Sequence, residues 1–238
     1  TGVQTCALPI LSIGQEAVAV GVISCLDSGD TVASNHRGHG HALAKGLELP
    51  EFYSELLGKE EGLCKGRGGS MHVADLSKGM LGANGIVGAG MSIAVGSALA
   101  HKCLGREQIS VVFFGDGALG EGLLHESINM AKMLKLPVLF VCENNQYGMS
   151  MHVDRATSKL PIAQRAEGYG IRWDYIDGND LLLVYETMKG AVDDVRGGNG
   201  PVFVETETYR YFGHSRSDRN LYRTKEEIDQ WRELRSEE

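Results

Sequence analysis

Residues 109–148 read ISVVFFGDGALGEGLLHESINMAKMLKLPVLFVCENNQYG. Two apolar runs, Ile109–Phe114 and Val138–Glu143, bracket a helix-length stretch, Gly120–Lys135. Each run leads into a short polar motif, Gly115-Asp116-Gly117 after the first and Asn144-Asn145 after the second. This is a strand–helix–strand unit with metal-type ligands at the carboxyl ends of both strands, where an open parallel sheet places its ligand site. One Asp, one Asn amide oxygen and a nearby backbone carbonyl are hard oxygen donors. They suit Mg²⁺, which takes a few protein ligands and completes its octahedron with water and phosphate oxygens. The glycines let backbone N–H groups approach a diphosphate closely. Tyr147 is close enough to Asn145 for its carbonyl to turn back to the same ion.

Outward from this unit, strands keep alternating with helices. Toward the N-terminus, Ile13–Leu26 reads as a helix with small apolar residues on one face, and Asp30–Ser34 as a short strand. Pro50–Leu57 is a short helix and Met91–Leu104 a longer one rich in Ala, Gly and Ser. Between these two helices, Lys59–Ala89 is a long Gly-rich stretch with few helix or strand signals, which inside a compact domain suggests function. Toward the C-terminus, Ile162–Tyr169 reads as a helix, Arg172–Ile176 as a strand, Leu181–Gly197 as an amphipathic helix and Pro201–Thr206 as a strand. Tyr209–Tyr222 is polar and aromatic without a regular period, and Thr224-Lys225-Glu226-Glu227 is a capping box that opens a last helix. The pattern predicts an α/β fold, a mainly parallel sheet with helices on both faces. No internal repeat or linker divides residues 1–238, so one domain is expected.

Composition narrows the function classes. Lys and Arg total 23 against 31 Asp and Glu, a net charge of −8, which argues against broad nucleic-acid binding. Anion-binding groups must therefore be local. The five cysteines show no CxxC spacing, neither a zinc pattern nor a disulfide framework, which fits a reducing cytoplasm of bacterial type. No apolar run reaches transmembrane length, so no membrane partner is expected.

Other motifs are weaker alone. His36, His39 and His41 could suggest zinc, but no Cys or carboxylate adjoins them, and Arg37 beside them favours anion contact. Lys65-Gly66-Arg67-Gly68-Gly69 only superficially resembles a phosphate loop, because it lacks Walker spacing. Gly82–Gly90 (GANGIVGAG) offers backbone groups to a flat ligand, or is simply a tight turn into the next helix. Arg210 and His214 in YRYFGHSRS suit an anion, and a solvated loop explains them equally well.

Taken together, the ordered motifs resemble the alpha subunit of the thiamine-diphosphate-dependent decarboxylating component of 2-oxo acid dehydrogenase complexes. They are Gly14-Gln15-Glu16-Ala17, His36-Arg37-Gly38-His39-Gly40, Lys65–His72 (KGRGGSMH), Gly85-Ile86-Val87-Gly88, Gly115-Asp116-Gly117 and Glu143-Asn144-Asn145-Gln146-Tyr147-Gly148. Thr208-Tyr209-Arg210-Tyr211, Gly213-His214-Ser215 and Tyr222-Arg223-Thr224 complete the series. The resemblance implies a thiamine-diphosphate-binding fold in which Asp116, Asn145 and the Tyr147 carbonyl hold Mg²⁺. It puts Gly117 and Ala118 at the diphosphate with His36, Arg37 and His214 nearby, and Gly85 and Val87 at the aminopyrimidine. Arg165 resembles a further diphosphate contact, and His214 and His39 are the expected catalytic histidines. His36 stands where many pyruvate-type members carry Tyr. That His and the run from Ala74 to Asn84 look more like the acetoin branch.

The same resemblance implies oxidative decarboxylation of pyruvate, or cleavage of acetoin, with acyl transfer to a lipoyl group. The partners it implies are a beta subunit, giving an α2β2 heterotetramer, and a lipoyl-bearing transacylase. The Glu that acts at the aminopyrimidine comes from that beta subunit, so neither Glu16 nor Glu121 is expected to fill the role, and the chain alone is expected to be inactive. The rival readings are a non-catalytic diphosphate-cofactor-binding subunit and a transketolase-like half-chain. KGRGGSMH and Gly213–Ser215 favour the dehydrogenase. Two departures stand out. Ile10 occupies a position where the family usually has a substrate-pocket His, and residues 1–10 are set apart as foreign to what reads as a fragment. Ser215 matches a regulatory serine of mitochondrial members, but the shorter loop lacks the second one, so kinase control is not expected.

Overall fold

A computed structural model of the chain describes residues 12–158, 160–215 and 217–236. In chain order the elements are α1 (Glu16–Ile23), β1 (Thr31–Asn35), α2 (His39–Ala44), α3 (Leu49–Leu56), β2 (Met80–Asn84), α4 (Ala89–Cys103), β3 (Ser110–Gly115), α5 (Gly122–Met133) and β4 (Val138–Asn144). A two-residue hairpin, β5 (Tyr147–Gly148) and β6 (Met151–His152), follows, then α6 (Val153–Ala156), β7 (Arg172–Asp177), α7 (Leu181–Arg196), β8 (Val202–Glu207) and α8 (Lys225–Ser236). The position Ile10 and the stretch 1–10 lie outside the described residues.

Six strands form one parallel sheet in the order β2-β1-β3-β4-β8-β7. The apolar runs of β3 and β4 are continuous because both faces of the sheet are covered, as parallel sheets require. Side chains alternate between two cores. Val112 and Phe114 pack with Met91, Ala94 and Ala98 of α4 and with Leu124 and Ile128 of α5. Val111 and Phe113 face the other way, with Val18 and Val22 of α1 and with Val184, Met188 and Val195 of α7. The α/β expectation is met. From β1 the chain passes to β2 on one side and then to β3 on the other. The switch point therefore falls between β1 and β3, and a crevice opens at the carboxyl ends of these strands.

The short elements α2, β5, β6 and α6 are not placed by the sequence reading, and two further segments differ from it. The stretch read as an irregular loop, Lys59–Ala89, contains β2. This edge strand is five residues long, and Gly82 sits in it at φ +136°, so it carries no alternating pattern. Ile162–Tyr169 forms 3₁₀ turns rather than an α-helix. It is held from outside, where the Ala163 N–H donates to the buried carboxylate of Glu205 at 2.8 Å.

Candidate functional site

A cleft of about 360 Å³ opens at the switch point. β1 ends into Asn35, His36 and Arg37, β3 into Gly115–Ala118, and β4 into Asn145 and Tyr147, and all of these line it. Val87, Arg210 and His214 come from loops and complete the wall. Sequence separation thus disappears: Arg37, Asp116, Asn145 and His214 share one cavity.

Asp116 is 4% exposed, and burial pushes its carboxyl up to about 6, although backbone N–H groups and the more distant Arg210 and Arg37 pull it down. A desolvated carboxylate of this kind is a place for a cation. Beside it, the Asn145 side chain donates through Nδ2 to Gln15 Oε1 at 3.4 Å, while its Oδ1 accepts from the Tyr147 N–H at 3.4 Å and keeps a second lone pair. The Tyr147 main-chain carbonyl accepts from Arg210 Nη1 at 3.2 Å and keeps a second lone pair. The bend that brings Tyr147 back is made at Gln146, φ +72°, whose N–H is caught by Asn144 Oδ1 at 3.2 Å. Gly117 and Gly148 meet across the gap: a Cβ on either would lie 3.1 Å from the other's Cα. Only glycines let the β3 and β4 loops approach this closely.

The adjoining wall is cationic. Arg37 is buried, and desolvation together with the neighbouring Arg210 lowers its pKa to about 10. Its Nη2 donates to the His214 carbonyl at 3.1 Å and lies 3.4 Å from His214 Nδ1. Arg210 is 2% exposed and its Nε has no hydrogen-bond partner among the described residues. An orphaned guanidinium N–H in a cleft wall calls for an anion. Burial and the two arginines push His36 down to about 3 and lower His214 as well, so both rings are neutral. They stand 5.7 Å apart. The cleft thus presents oxygen donors for a cation beside guanidinium groups for a polyanion, and Arg210 touches the donor set through the Tyr147 carbonyl. A metal–diphosphate fits both at once.

Three expected site residues lie elsewhere. Gly85 is not in the wall, although its neighbours Asn84 and Ile86 are. His39 turns away to Ser70, with Nε2 3.0 Å from the carbonyl and 2.9 Å from Oγ. Arg165 is not in the wall and donates to Thr157 Oγ1, the residue that follows Ala156 of the wall. Glu121 does reach the wall, as an exposed side chain. The three histidines part company too, since His41 goes into the core and stacks on Phe113 with ring centroids 3.8 Å apart. Among the described residues no three His, Cys, Asp or Glu side chains cluster as a metal-binding group.

Supporting residues escaped the sequence reading. Glu143 is 1% exposed and joins His41 Nε2 (3.1 Å) to Asn35 Nδ2 (2.7 Å), while Asn35 Oδ1 accepts from the Arg37 N–H at 2.7 Å. Glu143 therefore fixes the backbone that carries Arg37. The phosphate-like loop is also explained. The carboxylate of Glu55, fully buried, accepts from the N–H groups of Cys64, Gly66, Gly68 and Gly69 at 2.7–2.9 Å. That nest already has its anion.

Comparison with known proteins shows the family. A family profile described as "Dehydrogenase E1 component" matches residues 3–236. The chain belongs to the dehydrogenase E1 component family. It is 50% identical over 217 residues to the alpha subunit of acetoin:2,6-dichlorophenolindophenol oxidoreductase of Bacillus subtilis, covering 91% of this chain and 65% of that protein. It is 44% identical over 222 residues to a pyruvate dehydrogenase E1 component alpha subunit of Rhizobium meliloti, covering 93% and 64%. A mitochondrial somatic-form alpha subunit of Homo sapiens is 42% identical over 221 residues, covering 92% and 55%. The chain thus spans about two thirds or less of the length of these E1 relatives. No helix among the described residues is long and apolar enough to cross a membrane.

Proposed function

We propose that this chain is the alpha-type subunit of an E1 component and that its cleft holds thiamine diphosphate through Mg²⁺. The observation that carries the reading is the paired demand of one cleft: a desolvated Asp116 among oxygen donors, and a buried Arg37 and Arg210 with an orphaned N–H. Asp116, the Asn145 amide oxygen and the Tyr147 carbonyl would hold the ion. Gly117 and Ala118 would meet the diphosphate by backbone groups, with Arg37, His36 and His214 on its far side. Val87 would lie along the aminopyrimidine, with Gly85 at the rim.

When bound, thiamine diphosphate supplies the electron sink that lets a carbon–carbon bond beside a carbonyl break. The residues of the chain orient and polarise. Arg37 and Arg210 bind negative charge in a water-poor wall where such bonds are strong. His214 is neutral before an anion arrives, so it can take up a proton once one does. His39 acts on the loop at Ser70 rather than on the cleft, so proton transfer would fall to His214.

The reaction class is oxidative decarboxylation of pyruvate or cleavage of acetoin, with the acyl fragment passed to a lipoyl group on a transacylase in a reducing cytoplasm. A beta-type subunit in an α2β2 assembly would complete the site and supply its carboxylic acid. The test is calorimetric titration of Mg²⁺–thiamine diphosphate into the chain assembled with that partner. Saturable, Mg²⁺-dependent binding that Asp116→Ala abolishes is expected, together with no turnover by the isolated chain. Absence of binding in the assembled protein would overturn the reading, and turnover by the chain alone would overturn the shared site.

A further inference from the structure

The sequence marks Thr224–Glu227 as a capping box, and half of it forms: the Glu227 N–H donates to Thr224 Oγ1 at 3.1 Å. The carboxylate has a second destination. Glu227 Oε1 accepts from Tyr147 OH at 2.9 Å and from Tyr209 OH at 2.7 Å. Both rings are buried, at 6% and 0% exposure. Tyr147 is therefore held at both ends, its hydroxyl by α8 and its carbonyl by Arg210 at 3.2 Å.

The rest of α8 reinforces the same contact. Trp231 stacks on Tyr209 with centroids 5.0 Å apart and planes at 9°, and its carbonyl accepts from Tyr211 OH at 3.0 Å. Just before the helix, the Arg223 guanidinium lies 5.3 Å from the ring centroids of Tyr147 and Tyr209. It also donates to the carbonyls of Arg210 and Phe212. The helix and the loop before it thus grip Tyr147 and Arg210, the two cleft residues that meet at the candidate ion position.

We propose that Glu227 is a positioning residue for the metal–diphosphate site: through Tyr147 it aims the carbonyl that faces the ion, so that docking of α8 and loading of the cofactor favour each other. This rests on the cofactor reading above. A purely structural cap would need only the backbone half of the box. Here the carboxylate reaches across to the residue that offers a metal ligand.

The test uses the chain assembled with its partner subunit and two readouts. One is the calorimetric affinity for Mg²⁺–thiamine diphosphate. The other is deuterium uptake by peptides covering residues 225–236, with and without cofactor. Coupling between two sites is reciprocal, so the cofactor must protect α8 by the factor by which α8 docking strengthens the cofactor. Glu227→Ala is expected to weaken binding about tenfold, through loss of its charge-assisted bond to Tyr147, and to abolish cofactor-dependent protection of α8. Glu227→Gln keeps an acceptor oxygen and is expected to stay within about threefold of the parent. Should Glu227→Ala not fold, Tyr147→Phe removes the hydroxyl alone and must show the same loss of affinity and of protection. Unchanged affinity and unchanged protection in the folded variants would overturn the proposal and leave α8 a simple prop. Failure of the parent complex to bind at all is a different result, which overturns the cofactor reading and this inference with it.

Discussion

Asp30, where β1 starts, and Asp116, where β3 stops, are both buried, at 0% and 4% exposure. They sit at opposite ends of the same sheet and are served differently. Asp30 accepts from the Asp27 and Ile109 N–H groups at 2.8 and 2.9 Å, and from Arg196 Nη1 and Nη2 at 3.1 and 2.6 Å. The protein supplies every partner, and the aspartate ties the end of α7 to the sheet. Asp116 gets backbone donors and two arginines that act at a distance, and burial still pushes it up to about 6. A carboxylate that carries its own cation is structural. One left desolvated at a switch point is kept for a cation from outside.

The largest expected effects separate these two residues. Asp30→Ala removes one side of a buried pair and should cost about 3–5 kcal/mol in chemical denaturation. Asp116→Ala should change the stability of the cofactor-free chain by less than about 1 kcal/mol, because it deletes a group that is costly to bury. Its affinity for Mg²⁺–thiamine diphosphate should fall by more than the roughly 10–100-fold that loss of an outer-shell partner causes. If Asp116→Ala unfolds the chain while Asp30→Ala is harmless, the roles are reversed and the comparison fails.

Glu55 sharpens the contrast at a smaller scale. It is a third buried carboxylate, satisfied by four backbone N–H groups. Burial raises its pKa, those four donors more than offset this, and the net shift is downward. A lowered carboxylate pKa contributes stability that is present above the ordinary carboxylate range and lost as pH falls through the folded value. Amide exchange in residues 62–69 should therefore stay slow at neutral pH and accelerate as the pH drops below about 4. Glu55→Gln should lose about 1–3 kcal/mol at neutral pH and flatten that pH dependence. A loop equally protected at acid pH would show that the nest holds itself.

These cases also show what a sequence can disclose. The α/β sheet was legible because β3 and β4 follow apolar runs that end at Gly115 and Asn144 and because helix-length stretches separate the strands. β2 was not, because MLGAN has neither alternation nor length and pairs only at the sheet edge. Asp116, Asn145 and Arg37 were legible through motif order. What sets their orientation was hidden, because Gln15, Glu143 and Glu227 reach their targets across 130, 108 and 80 residues. No local pattern encodes that reach. The Lys65–Gly69 loop was ambiguous for the same reason, since the anion it cradles is Glu55 from a preceding helix.

The smallest effect comes from adding a single methyl group at either of two glycines. In Gly117→Ala the new Cβ would lie 3.1 Å from the Gly148 Cα, a backbone atom, so the β3 and β4 loops must part by a few tenths of an ångström. The separation falls between Asp116 and Tyr147, two of the three candidate ion ligands. About 1 kcal/mol, roughly a fivefold loss of Mg²⁺–cofactor affinity in calorimetry, is expected with little change in stability. Gly96 is exposed on α4, where an added methyl would meet nothing within 4 Å, and its helical backbone suits alanine. Gly96→Ala should raise the stability of the chain by about 0.5–1 kcal/mol and leave cofactor affinity alone. Opposite signs for the same chemical change would locate the constraint in the approach of two loops. Equal effects would mean that Gly117 serves the backbone alone and that the ion site tolerates a wider gap.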